Sequence, residues 1–133
     1  MEDSNKILIR HSMEKSERAI QSAERAIQAD DMDTACNRIY YALFYAVMAL
    51  GYFHHFATSK HTQLMGWFNK KFIHEEHIFP PEMYQIYKVA YDQRQESDYN
   101  IAALDNVRKE DIILSLEQVK QFVNQTRTYL NVR

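Results

Sequence analysis

Glycine and proline are scarce in this chain: two of each among 133 residues. A many-stranded sheet needs those residues at its turns, so their scarcity favours helices. A single cysteine, Cys36, excludes an internal disulfide, and the opening MEDSNKILIR lacks the basic-then-apolar lead of a secretory signal. A reducing cytoplasm is the expected compartment. No excess of one charge exists either: 16 basic and 18 acidic residues leave a formal charge of −2, so no broad positive field draws in nucleic acid. Any such binding must be local. The longest apolar run, Ile39 to Phe53, is broken by Gly51 and carries four tyrosines. It falls short of the ~20 residues a membrane span requires and suits a buried helix. With 46% apolar residues and no polar low-complexity tract, the chain is not expected to be disordered. Its length fits one domain over residues 1–133.

Periodicity then places the helices. Ile9, Met13, Ser16, Ile20, Ala23 and Ile27 recur at steps of four and three, the spacing of an amphipathic helix. Asp30, Asp31 and Asp33 offer caps for a second helix that begins near Asp33 and runs to about Gly51. Apolar residues occupy every face of that helix, so it must be covered all round, and a second subunit on its tyrosine-rich surface is expected. Thr58 and Ser59 offer caps for a third helix with Leu64, Met65, Phe68 and Phe72 inward, ending near His74. Pro80 and Pro81 open a fourth, whose inward face runs through Met83, Tyr87, Ala90 and Arg94 to Ser97 or Asp98. A loop over Asn100–Asn106 precedes a fifth helix with Ile112, Leu116, Val119, Val123, Thr126 and Leu130 in register. The expected fold is all-α: an antiparallel bundle of four long helices plus a shorter one.

Several chemistries have no motif here. Di-iron bundles need paired Glu-x-x-His, and none of the six histidines has a glutamate three residues before it. The run His74-Glu-Glu-His77 has its histidines three apart, where zinc proteases need four, and its residues are expected to be solvated. No Gly-rich phosphate loop or nucleophile elbow occurs. Neither a metal nor a cofactor is implied, and no catalytic residue is assigned.

Polar residues do stand where the pattern asks for apolar ones. Arg94 continues the Met83, Tyr87, Ala90 stripe, and Asp98 follows four residues later on the same face, positioned to pair with it. Asn37 and Arg38 open the aromatic face that continues through Tyr40, Tyr41, Phe44 and Tyr45. Lys60 and His61 start the third helix, whose N-terminus favours anions. These residues either fix helix register as a buried polar network or form a site in which arginines hold phosphate and tyrosines stack a base.

Three segments carry a family resemblance. Ala35-Cys-Asn-Arg-Ile-Tyr-Tyr-Ala-Leu-Phe-Tyr-Ala46 resembles the helix-two motif of small HEPN proteins (higher eukaryotes and prokaryotes nucleotide-binding). Arg94-Gln-Glu-Ser-Asp-Tyr99 resembles their Arg-x-x-x-Asp-Tyr motif. Between them, Ser59-Lys-His-Thr and Phe68-Asn-Lys-Lys-Phe are similar to the Lys-Thr-His-Ser and Phe-x-Lys-x-Phe patterns of the family, with the Thr and His positions altered. The resemblance implies a helical bundle, commonly a homodimer, often encoded beside a minimal nucleotidyltransferase in prokaryotic toxin–antitoxin pairs. Ribonuclease members carry Arg, four to six residues, then His, and cleave RNA without metal at a dimer cleft. Here the three permitted histidine positions after Arg94 hold Tyr99, Asn100 and Ile101. Tyrosine, with its ordinary pKa of about 10, is a poor base near neutral pH.

Three functions stay open on these grounds. The first is a nucleotide- or RNA-binding component of a HEPN/nucleotidyltransferase pair, its cleft lined by Arg94, Asp98 and Tyr99 with Asn37, Arg38, Tyr41, Lys60 and His61. The second is a metal-independent endoribonuclease toxin with a non-standard motif. The third is a protein–protein interaction module whose polar cluster is structural.

Overall fold

The computed structural model describes residues 3–99 and 109–132, with the side chains of 96–99 and 132 outside the description. Helix α1 spans Ser4–Gln28 and α2 spans Met32–Phe53; α3 spans His61–Phe68 and runs straight into a π-helical segment, Asn69–Glu75. Helices α4, Pro81–Tyr99, and α5, Lys109–Val132, follow, and no strand occurs among the described residues. The expected Asn100–Asn106 loop lies outside the described residues, as do the side chains of Asp98 and Tyr99.

Helix α2 is the centre of the molecule. Twelve of its residues are buried, including Ile39, Tyr40, Leu43, Val47 and Leu50, as expected of a helix apolar on every face. Its start is set by Asp31, whose carboxylate accepts the Thr34 backbone N–H at 3.2 Å and the Thr34 hydroxyl at 2.7 Å. Those two bonds, the hydroxyl first, hold the carboxyl below its ordinary value.

Helix α1 packs antiparallel on α2, and its buried face keeps Ser16, Ile20 and Ala23 of the expected stripe while extending over small residues beside it. Ser12, Ser16, Ala19, Ala23 and Ala26 lie inward, while Ile9, Met13 and Ile27 are only half-buried. Small side chains let the two backbones approach, close enough for the Ser16 hydroxyl to donate to the Ala42 carbonyl at 2.6 Å. The acidic residues on one flank of α1 pair with α5: Glu24 with Lys120 at 2.8 Å and Glu17 with Arg127 at 3.0 Å. Buried Ile112, Leu116, Val119 and Val123 follow the expected stripe of α5, and Thr126 satisfies its hydroxyl on the Phe122 carbonyl at 3.0 Å.

The turn after α2 decides where α3 begins. A Cβ on Gly51 would lie 2.5 Å from the Phe56 carbonyl oxygen, so glycine alone permits the chain to fold back there. His55 takes a left-handed backbone, φ 59°, and Asn5 Nδ2 lies 2.8 Å from its Nδ1. The Phe56 ring then stacks on Trp67, centroids 4.9 Å apart and planes within 3°. Thr58 accepts the Lys60 backbone N–H at 3.1 Å, and the helix starts at His61.

The π-helical turn was not expected from the sequence. Its wider winding brings Phe72 and Ile73 inward in succession after Phe68. Phe72 then accepts the Ile78 N–H at 2.8 Å, which closes the connection to Pro81. His74, Glu75, Glu76 and His77 are exposed here, and no group of three or more metal-ligating side chains is present among the described residues. No helix among them is long and apolar enough to cross a membrane.

Candidate functional site

Tyr40, Tyr41 and Phe44 project from about one turn of α2 toward the start of α3, and Tyr40 also meets Tyr87 and Tyr91 of α4. Burial places Tyr40 entirely out of solvent, and that loss of water pushes its phenol well above the ordinary value. Its hydroxyl therefore stays protonated at neutral pH. It lies 2.8 Å from His61 Nδ1, and with the phenol as donor the imidazole carries its own proton on Nε2. Phe44 stacks on the face of the imidazole, centroids 4.2 Å apart and planes within 23°. Burial, and secondly the charge of Arg94, hold His61 below its ordinary value, so it is a neutral donor near pH 7.

Two arginines converge on the adjoining tyrosines. The Arg94 guanidinium of α4 stands 5.3 Å from the Tyr40 ring centroid and 5.2 Å from that of Tyr41. Arg38, one turn before Tyr41 on α2, stands 5.2 Å from the same Tyr41 centroid. The two cations are thus separated by no more than twice that distance. Arg38 is held in place by Asn37, whose amide oxygen accepts from Nε at 3.0 Å and from Nη2 at 2.6 Å. An amide oxygen fixes the guanidinium without cancelling its charge. Such a group is ready to meet a phosphate with little further ordering.

Of the residues singled out by sequence, Asn37, Arg38, Tyr41, His61 and Arg94 are brought together. Lys60 is exposed on the loop side of His61, at the helix cap. Asp98 and Tyr99 lie on the last turn of α4, beyond Arg94, with side chains outside the described set, so the Arg94–Asp98 pair is not described. Sequence reasoning missed the specific roles of Tyr40 and Phe44. Their spacing of four on α2 puts both on one side, which was a usable signal, but their contact with His61 depends on the turn at Gly51. Both guanidinium groups stand over the Tyr41 ring.

A separate cavity of about 670 Å³ lies between the beginning of α1 and the ends of α2 and α5. Lys6, Arg10 and Arg127 on its wall are matched by Asp3, Glu14 and Glu17, so it offers no net charge to an anion. The tyrosine–arginine cluster is the stronger candidate.

Comparison with known proteins agrees with the motifs. A protein of Methanocaldococcus jannaschii named "Putative toxin MJ0142" is 31% identical over 118 residues, covering 89% of this chain and 78% of its own. A "UPF0332 protein" of Thermotoga maritima is 26% identical over 124 residues, covering 93% of this chain and 86% of its own. The profile of the HEPN domain matches residues 9–129, a span that takes in all the helices of the site. Both helix motifs, their order and this match lead to one conclusion: the chain belongs to the HEPN family.

Proposed function

We propose that residues 1–133 act as one helical domain that binds the phosphate of a nucleotide or RNA strand, as the binding component of a HEPN/nucleotidyltransferase pair of toxin–antitoxin type. The observation that carries this reading is the convergence of Arg38 and Arg94 on Tyr41, each at 5.2 Å, beside an imidazole fixed by Tyr40. Guanidinium groups supply charge-assisted bonds to phosphate oxygens, and His61 adds a neutral N–H donor. Asp98 and Tyr99, on the last turn of the same α4, are the residues proposed to meet a ribose or base. Similarity to a protein named a putative toxin supports the toxin–antitoxin setting. A second copy is proposed to meet this one on the tyrosine-rich surface of α2, where Tyr45, Met48 and Tyr52 are only half-buried.

The test is titration of adenosine 5′-monophosphate and single-stranded oligoadenylate into the protein, alone and with a cognate nucleotidyltransferase. Saturable binding weakened about ten- to hundred-fold by Arg94→Ala is expected, the loss of one to two charge-assisted bonds. Absence of saturable binding in both conditions refutes the reading.

One observation favours RNA cleavage as a second reading. Although no histidine follows Arg94 at the usual spacing, His61 arrives near it from α3, stacked on Phe44 and hydrogen-bonded to Tyr40. To take a proton from a 2′-hydroxyl, its Nε2 must be unprotonated, with Nδ1–H donating to Tyr40. The Tyr40 hydroxyl can donate to Nδ1 or accept from it, so the contact fits either tautomer. Metal-free cleavage by the purified protein, abolished in His61→Ala and Arg94→Ala with the fold intact, decides for the second.

A further inference from the structure

The cavity between the beginning of α1 and the ends of α2 and α5 has its charges in order along one axis. Its floor is apolar: Ile9 and Met13 of α1, Tyr52 and Phe53 of α2 and Leu130 of α5 are all half-buried there. On its rim, Glu17 is held by Arg127 at 3.0 Å, and Asp3 caps the Asn5 backbone N–H at 2.7 Å. Arg10 is engaged as well. Lys6 and Glu14 are different: both are exposed on the rim, and neither has an ion pair among the described residues. They stand eight residues apart on α1, a rise of about 12 Å, with Ile9 and Met13 between them. Lys6 belongs to the first turn of the helix, where the backbone amides add to its positive charge. A slot results that is positive at one end, negative at the other and apolar along the middle.

We propose that this slot, separate from the Arg38–Arg94 cluster and independent of its function, docks an extended segment of a partner protein. In that segment an acidic and a basic side chain stand four residues apart, with a large apolar side chain midway. Residues i, i+2 and i+4 of an extended chain point to one side and span about 13 Å, which matches the rise from Lys6 to Glu14. The acidic side chain meets Lys6, the apolar one enters between Met13 and Phe53, and the basic one meets Glu14. A volume of about 670 Å³ suits three such side chains. The opposed charges select against other occupants: a polyanion that gains at Lys6 is repelled at Glu14, and a free amino acid carries its two charges too close together to reach both. Asn131, exposed on the rim, has an amide that can donate to and accept from a peptide group. An extended chain leaves such groups available, whereas a helix uses its own.

The experiment titrates three capped peptides, Glu-Thr-Leu-Thr-Lys, Glu-Thr-Leu-Thr-Glu and Lys-Thr-Leu-Thr-Lys, into the full chain and follows its backbone amides by NMR up to millimolar peptide. Five residues are too few to form a helix in water, so the probes test the extended mode. The mixed-charge peptide is expected to saturate, with shifts concentrated at Ile9, Met13, Tyr52, Phe53 and Leu130. It should bind about three- to ten-fold more tightly than either single-sign peptide. Serine in place of its leucine should weaken it at least about ten-fold. Lys6→Glu should transfer the preference to the peptide with two lysines, and Glu14→Lys to the peptide with two glutamates. Both positions are exposed, and unchanged spectra away from the cavity verify the fold of each variant. No saturable binding, or shifts that lie outside the cavity, overturns the slot. Equal affinity for the three peptides, or a preference that neither variant moves, overturns the charge pairing and the peptide with it. A zwitterionic alkyl sulfobetaine, kept below its micelle concentration, that binds as tightly as the mixed-charge peptide and responds to both variants replaces the peptide with a small amphiphile.

Discussion

Two histidine–tyrosine pairs sit in aromatic surroundings, both at 2.8 Å, and they differ in what stands over them. In the first, His54 at the end of α2 meets the Tyr129 hydroxyl of α5 amid Phe53, Trp67 and Phe72. It ties the ends of two helices to the π-helical turn. In the second, Tyr40 and His61 are joined by the guanidinium groups of Arg38 and Arg94 on the neighbouring rings. An aromatic–imidazole pair by itself is therefore a packing device in this fold. Paired cations beside the second are what the proposed binding function rests on.

Changes in the first region should act on stability and spare binding. Phe72 is fully buried beneath His54 and Tyr129, and Phe72→Ala should cost about 3–5 kcal/mol in chemical denaturation. The folded fraction should bind ligand as the unaltered protein does. A loss of ligand affinity in molecules that remain folded would join the two regions into one. Tyr129→Phe removes a single hydroxyl contact and should cost about 1 kcal/mol. An unchanged denaturation midpoint would show that this bond contributes nothing.

The smallest effect separates the regions by pH. Because burial and Arg94 depress the pKa of His61 in the folded state, the unfolded chain takes up its proton first as pH falls. The stability contribution of this group is complete above its ordinary value of 6.5 and declines as pH drops from there toward the depressed folded value. Phosphate affinity should move the opposite way, rising as His61 gains a positive charge. Denaturation midpoints and titrations from about pH 7.5 to about pH 5 test both slopes, and His61→Gln should flatten them. Equal slopes before and after that substitution would remove His61 from the site.

Much of this arrangement was legible in the sequence, for reasons that differ by element. The faces of α4 and α5 follow from apolar residues at helical spacing, and Thr126 fits because a hydroxyl can satisfy itself on its own helix. Arg38 and Arg94 drew attention as polar residues on apolar faces, and the structure brings them to one ring. The inward face of α1 was harder, since serine and alanine give little hydrophobic signal although they allow the closest packing. His61 meets Tyr40 across 21 residues of sequence, through a turn that depends on Gly51 and on the left-handed backbone of His55. Periodicity carries no record of a contact made by a loop. The π-helical turn is likewise a product of tertiary packing around Phe68 and Phe72.

The central claim is that the cations beside Tyr40 and Tyr41, and not the aromatic–imidazole pairing alone, create the binding site. It is tested most directly by titrating one single-stranded oligoadenylate into the unaltered protein, Arg94→Ala and Tyr129→Phe, all verified as folded. The account predicts saturable binding to the unaltered protein and to Tyr129→Phe with equal affinity, and binding at least about ten-fold weaker in Arg94→Ala. Equal affinity in all three proteins, or none in any, would contradict it.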